Sequence, residues 1–421
     1  MRNIAIIGAG QAGLHLGFGL LDKGYRVTIH SDRTPEQVLH GRLPSTAFIF
    51  ESTLRMERAL GLNFWEDLAP YGEGIHVDFR DPTGQTMLTV QGRLHGNRGQ
   101  ALDQRTKFSR WMEEFARRGG ELVYGSVGVS ELDEIAGRHD LTMVVAGKGA
   151  VTGLFERDEE RSVHARPPRQ LAAVLATGPK LTGDRPWPEI PFRPLRFNFI
   201  AGVGEYFSLP FYTHTTGECR SFLFEAIPDG PMDVFGGVRD GDEMLAAMRE
   251  VVARFTPDDL EHLEGIEITD PGAWLKGSFT PVVRKPALRL ASGRVVMGVG
   301  DTVCLNDPIA GQGANNASRM ADAILKAIVA HGSAPFEADW MTEVFDRFWE
   351  SSGKHTTRFT NLLLNPPPPA TMQVLGAASQ NATIADAVVG AFNNPPDFFP
   401  WIEDEAAARA FIAERSAEHA A

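Results

Sequence analysis

Ile4-Ala5-Ile6-Ile7 is a short apolar run bounded by glycine, too short for a helix and of the right length for a buried parallel strand. Leu14, Leu16, Phe18, Leu20 and Leu21 then crowd a helical stretch that ends near Gly24, a C-cap glycine, and Tyr25–Ile29 reads as a second strand. This is a βαβ opening. Ser52–Leu62 has helical spacing, and His76–Asp81 and Thr86–Val90 look like strands joined at Pro82-Thr83-Gly84. Phe108–Arg118 is predicted helical, stopping at Gly119-Gly120, and is followed by strands at Glu121–Tyr124 and Leu141–Ala146. From Gln170 to Arg284 the pattern turns β-rich and aromatic, as in Arg220–Ala226, with one clear helix at Asp242–Phe255. Arg294–Gly298 returns to an apolar strand and Ala314–Ala330 to a helix, so the opening α/β layer resumes late in the chain. After the four prolines Pro366–Pro369, Met372–Leu375, Ile384–Val389 and Glu403–Ala417 have helical composition. No internal repeat is visible.

Composition narrows the function classes. With 421 residues, 43% hydrophobic and 23% charged, the chain has average globular usage and room for two or three units. A net charge of −13 argues against nucleic acid and anionic membrane partners. Cys219 and Cys304 form no CxxC, which points away from a zinc site or a disulfide framework and toward a reducing compartment. No metal is expected. No apolar run reaches membrane-spanning length, so the expectation is a soluble cytoplasmic protein.

Two glycine turns carry the chemistry. Gly8-Ala9-Gly10-Gln11-Ala12-Gly13 follows a strand and opens a helix, where Gly8, Gly10, Ala12 and Gly13 allow a tight turn, close approach of a pyrophosphate and close helix packing. An acidic partner for the ribose, expected about 20 positions on, would be Asp32; a solvated turn residue is the alternative reading, with Arg33 meeting the adenosine or its phosphate instead. The second turn, Gly300-Asp301 and then Asp307-Pro308-Ile309-Ala310-Gly311-Gln312-Gly313-Ala314-Asn315, again lies between a strand and a helix, with Asp301 available for a polyol hydroxyl. Two anion-holding turns in one chain favour FAD over a cofactor bound once.

The chain resembles the single-chain flavin monooxygenases with a hydroxybenzoate-hydroxylase-like fold, and among them the oxygenase components of two-component styrene and indole monooxygenases. The resemblance runs over nearly the whole length, through IAIIGAGQAGLHLG, GRLPST at Gly41–Thr46, ALDQR at Ala101–Arg105, AGKGA at Ala146–Ala150, GVGDTVCLNDPIAGQGAN and TRFTNLLL at Thr357–Leu364. It implies an α/β fold: a discontinuous Rossmann-like FAD-binding domain (1–70, 99–169 and 285–335), a β-rich α+β substrate domain (71–98 and 170–284) and C-terminal helices (336–421). It implies that Arg42, Gln104, Arg105 and Val127 lie along the cofactor, that Asp301 holds the ribityl chain, and that Pro308, Gly311, Gly313, Ala314 and Asn315 approach the ring. Lys148 stands where the wider hydroxylases carry an acid linked to nicotinamide use, as in the styrene and indole branch. That branch receives reduced FAD from a separate NADH-dependent flavin reductase.

By the same resemblance the flavin reacts with O2 to a 4a-hydroperoxide, which needs a dry pocket and an electron-rich small aromatic substrate rather than a protein nucleophile. Leu43, Pro44, Ser45, Ala47, Ile49, Ile75, Leu209, Phe211, Pro308 and Ile309 would surround the substrate, with plain core packing the alternative for any one apolar residue. His30, His40, His76 and His214 read as surface or packing residues, so no acid/base residue is assigned. Ser45 is the indole-branch residue where the styrene branch has Asn, and Ile75 stands where that branch has His. The expected reaction is epoxidation of indole, with styrene and aryl sulfides as further acceptors. A self-sufficient NAD(P)H-dependent hydroxylase, a flavin-dependent reductase, a flavin carrier and an FAD-dependent dehydrogenase remain open, as does a homodimer.

Overall fold

A computed structural model describes residues 2–420 apart from Lys148, Asp184 and Arg185, and describes no side chains for residues 418–420. Lys148, singled out above, therefore lies outside the described residues. Asn3–Ile7 forms the central strand of a six-stranded sheet because its apolar run is flanked on both sides by parallel neighbours. The order is Ala287–Arg289, Val295–Gly298, Leu141–Val144, Asn3–Ile7, Arg26–Ser31, Glu121–Tyr124, with only the first strand antiparallel to its neighbour. Its core is packed by the helices Gln11–Asp22, Gln104–Arg117 and Gly313–His331, through Leu14, Phe18, Trp111, Phe115, Met320 and Ile324.

A second, eight-stranded and mostly antiparallel sheet is built from Gly74–Arg80, Thr86–Arg93, Gln170–Thr177, Pro194–Ile200, Gly204–Thr213, Gly217–Ala226, Glu267–Ile268 and Trp274–Gly277. Period-two alternation divides its side chains between two cores. On Gly204–Thr213 and Gly217–Ala226, Tyr206, Phe222 and Phe224 face the helix Gly241–Phe255, whereas Phe207, Leu209, Phe211, Cys219 and Leu223 face the other way. That other face is closed by Phe48, Phe50, Ile309 and the C-terminal helices Pro369–Ala378, Ala382–Gly390 and Glu405–Ala420.

Most expected elements form within a few residues of the expected ends. Two helices, Pro35–Leu39 and Val129–Ala136, were not anticipated, and two more, Ala338–Phe348 and Lys354–Leu363, lie in the expected C-terminal helical region without having been picked out individually. Ala338–Phe348 was legible, since Met341, Val344, Phe345 and Phe348 recur at helical spacing and are its buried face. Among the described residues no helix is long and apolar enough to cross a membrane.

Candidate functional site

Both glycine turns open at the carboxyl end of the six-stranded sheet, where ligands of open α/β sheets bind. Gly13 is required by packing: a Cβ there would lie 2.1 Å from the Gly8 carbonyl oxygen. At Gly10 a Cβ would meet nothing within 4 Å, so the turn faces open space. The helix Gln11–Asp22 begins with no side-chain cap and no acidic residue in its first turn, leaving its N–H groups and dipole for an anion. At the second turn Gly311 takes the left-handed conformation at φ 62°, and Gly311 and Gly313 both border open space. The helix Gly313–His331 likewise starts uncapped by a side chain.

The two helices are tied together. Gln11 Nε2 donates to Ser318 Oγ and to Glu57 Oε1, both at 2.9 Å, and Lys107 Nζ donates to the same glutamate oxygen at 2.6 Å. Gly300 packs against the Ala12 methyl, bringing Asp301 beside the first turn and the Gly147 backbone. Among the described residues no donor reaches the Asp301 carboxylate. It keeps some solvent contact, yet the dense surrounding chain pushes its pKa up to about 6. An acceptor made costly by burial, beside two uncapped helix ends and open space, fits a dinucleotide whose diphosphate and polyol would take those groups.

The family model described as "Styrene monooxygenase A putative substrate binding domain" matches residues 147–262. Styrene monooxygenase StyA of Pseudomonas fluorescens and its counterpart from a Pseudomonas species are each 28% identical over 405 residues, covering 94% of this chain and 93% of the relative. Over nearly its whole length the chain is thus similar to styrene monooxygenases. Its fold is shared with the flavin-dependent brominase Bmp2 (TM-score 0.67, 15% identity, 99% of both chains) and with a flavoprotein/dehydrogenase from Cytophaga hutchinsonii (TM-score 0.67, 12% identity, 99% of both). It is a flavin-dependent monooxygenase.

Within this oxygenase the anticipated site residues fall into distinct groups. Arg105 is committed within the protein: all five N–H donors of its buried guanidinium are engaged, by Asp103, Asp270 and the Gly41 carbonyl. It clamps the Gly41–Leu43 segment, whose Leu43 N–H donates to the Gly272 carbonyl at 2.8 Å, and has no donor left for a cofactor. The side chain of Asn315 is spent in the same way. Its amide donates to the Phe48 and Gly311 carbonyls at 2.8 and 3.1 Å and accepts from Phe50 N–H at 3.0 Å, which fixes the second turn to the strand Phe48–Ile49. Asp32 and Arg33 are exposed and pair with each other at 3.5 Å, just past the strand Arg26–Ser31, and Val127 packs nearby against the first core.

Gln104 is half-buried and its amide has no protein partner among the described residues, and Arg42 is exposed with its guanidinium 4.5 Å over the Trp274 ring. Trp274 and Asp270 were missed because nothing near them in sequence signals their partners, whereas Asp103 sits two residues before its partner Arg105 and was legible. Of the anticipated substrate residues, Leu43, Ile75, Phe211 and Ile309 are buried in one apolar cluster, with Leu209 at its edge. Ile49 lies outside that cluster, buried in a small sheet opposite Gln100. Pro44 and Ser45 are exposed, Ala47 and Pro308 half-buried, and the Ser45 hydroxyl donates only to the neighbouring Thr46 carbonyl at 3.2 Å.

His76 Nε2 contacts Asp78 at 3.3 Å and His214 Nδ1 contacts Thr106 at 3.0 Å, while burial lowers the pKa of His30 and His214. Among the described residues no cluster of acidic, His and Cys side chains has a metal-holding arrangement.

Proposed function

We propose that this oxygenase takes FAD already reduced by a separate NADH-dependent flavin reductase and uses O2 to epoxidise the carbon–carbon double bond of indole. Styrene and aryl sulfides are further acceptors, and the setting is the cytoplasm. The observation that carries the reading is the turn Pro308–Gly311. Ile309 and Ala310 are part of the apolar core that also holds Leu43, Ile75 and Phe211, while Gly311 borders the open cradle. One turn thus joins a dry wall to a flavin cradle.

Reduced FAD, when bound, supplies the activation of dioxygen. The chain contributes the rest. The uncapped N-termini at Gln11 and Gly313 orient the cofactor's anionic parts, and Asp301 accepts from the polyol. Leu43, Ile75, Leu209, Phe211 and Ile309 exclude water from a flat apolar substrate. The exposed Ser45 hydroxyl, held only by its neighbour's carbonyl, is free to turn toward an indole N–H.

The test supplies purified protein with chemically reduced FAD and 18O-labelled dioxygen, then indole or styrene. Labelled epoxide-derived product with indole, and blue pigment, is the expected result. Reduction of bound FAD by NADH alone would replace this reading with a self-sufficient hydroxylase or reductase, and unlabelled product with a dehydrogenase.

A further inference from the structure

Three buried carboxyls converge at the start of the second turn. Glu205 and Glu225 stand directly opposite each other on adjacent antiparallel strands, and Asp307 opens the turn with Oδ1 accepting from Ile309 N–H at 3.1 Å. Their exposures are 6%, 0% and 2%. A single guanidinium neutralises one of them: Arg169 donates from Nε and Nη2 to the two oxygens of Glu205 at 2.7 and 2.8 Å, and its other contacts are the Pro168 and Leu364 carbonyls. Among the described residues neither oxygen of Glu225 meets a donor, and the carboxyl that faces it is that of Asp307.

Two adjacent carboxylates without a counter-charge of their own do not both ionise in a buried site, because each loses its hydration and repels the other. One proton therefore stays, and it is the one donor able to bridge the two groups. We propose that Glu225 and Asp307 share a proton, and that this bridge is a positioning device holding the Asp307–Gly311 turn in place against the flavin cradle. The inference rests on the reading that this turn borders the flavin.

Burial, reinforced by Asp307 and then Glu205, raises Glu225 well above its ordinary value of 4.5, against the pull of Arg169. Burial also raises Asp307, against Glu225, the Ile309 N–H, Arg169 and His164. At alkaline pH the shared proton leaves to solvent, two like charges face each other, and the turn is pushed out of place.

The test titrates oxidised FAD into wild type, Glu225→Gln and Asp307→Asn from pH 6 to pH 9.5, and follows thermal unfolding of the flavin-free proteins over the same range. Wild-type affinity is expected to fall on the alkaline side, approaching about tenfold per pH unit once the shared proton is lost. The Gln variant, whose amide N–H replaces the shared proton at every pH, should stay flat within about twofold. Because the folded pKa lies above the unfolded one, the proton's stabilisation is complete below pH 4.5 and is lost as pH rises toward the folded value. Glu225→Gln should remove that decline as well. Asp307→Asn, which leaves Glu225 without its like-charged neighbour, serves if the Gln variant misfolds. An alkaline fall identical in wild type and both variants, or flat wild-type affinity, would overturn the inference. Failure of wild type to bind FAD at any pH would overturn the flavin reading along with it.

Discussion

Asp301→Asn isolates the electrostatic design of the cofactor cradle. In the flavin-free protein burial holds the Asp301 carboxyl at about 6, against an ordinary value of 3.8. Polyol hydroxyls donating to it would favour the ionised form and return its pKa toward the ordinary value, a relief of about two units, each worth about 1.4 kcal/mol. Binding then releases a proton between the two values. Affinity should therefore rise about tenfold from pH 5 to pH 7.5 by the same linkage, ahead of the alkaline fall assigned to the proton between Glu225 and Asp307. The Asn variant should lose this slope and, lacking charge-assisted hydrogen bonds worth about 1.5–3 kcal/mol, bind about 10- to 100-fold more weakly at pH 7.5. Calorimetric titration of oxidised FAD in buffers of different ionisation enthalpy reads both the affinity and the released proton. An Asn variant that keeps the wild-type slope and proton release would refute the assignment of Asp301 to the polyol.

Three further substitutions probe separate parts of the site. Gly13→Ala places a methyl 2.1 Å from a backbone oxygen that cannot yield, so FAD affinity should drop more than about tenfold and stability by about 1–3 kcal/mol, read by flavin titration and denaturant unfolding. Ser45→Asn, at an exposed position, should raise the styrene-to-indole product ratio about three- to tenfold with melting nearly unchanged; Ile75→His, in the apolar cluster, should also cost about 2–4 kcal/mol. An unchanged ratio in the double variant would remove the indole preference. Asp270→Ala leaves the buried Arg105 with Asp103 as its remaining acidic partner, and should lower stability by about 1–3 kcal/mol and raise the substrate KM through the Gly41–Leu43 segment, with kcat less affected.

Legibility in the sequence followed range. The opening βαβ unit, both glycine turns and the helix Gly241–Phe255 were readable because the residues that make each one are contiguous. Within the expected C-terminal helices the bounds of Ala338–Phe348 were readable too, its buried face lying in plain helical spacing. Arg105 and Asn315 resembled cofactor ligands by motif position, yet their polar groups are taken by Asp270, Phe48 and Phe50 from distant segments. The ion pair between Asp32 and Arg33 also needed coordinates to see.

The chain alone determined that two turns able to hold an anion would follow two apolar strands, because backbone stereochemistry at glycine and the period of apolar side chains act over a few residues. Only the tertiary structure decided which polar side chains remain free and which apolar ones form a wall beside the cradle. It also decided that Glu225 and Asp307 would face each other with the Arg169 guanidinium already committed to Glu205. Burial and pairing are properties of segments brought together from opposite ends of the chain, and no local pattern records them.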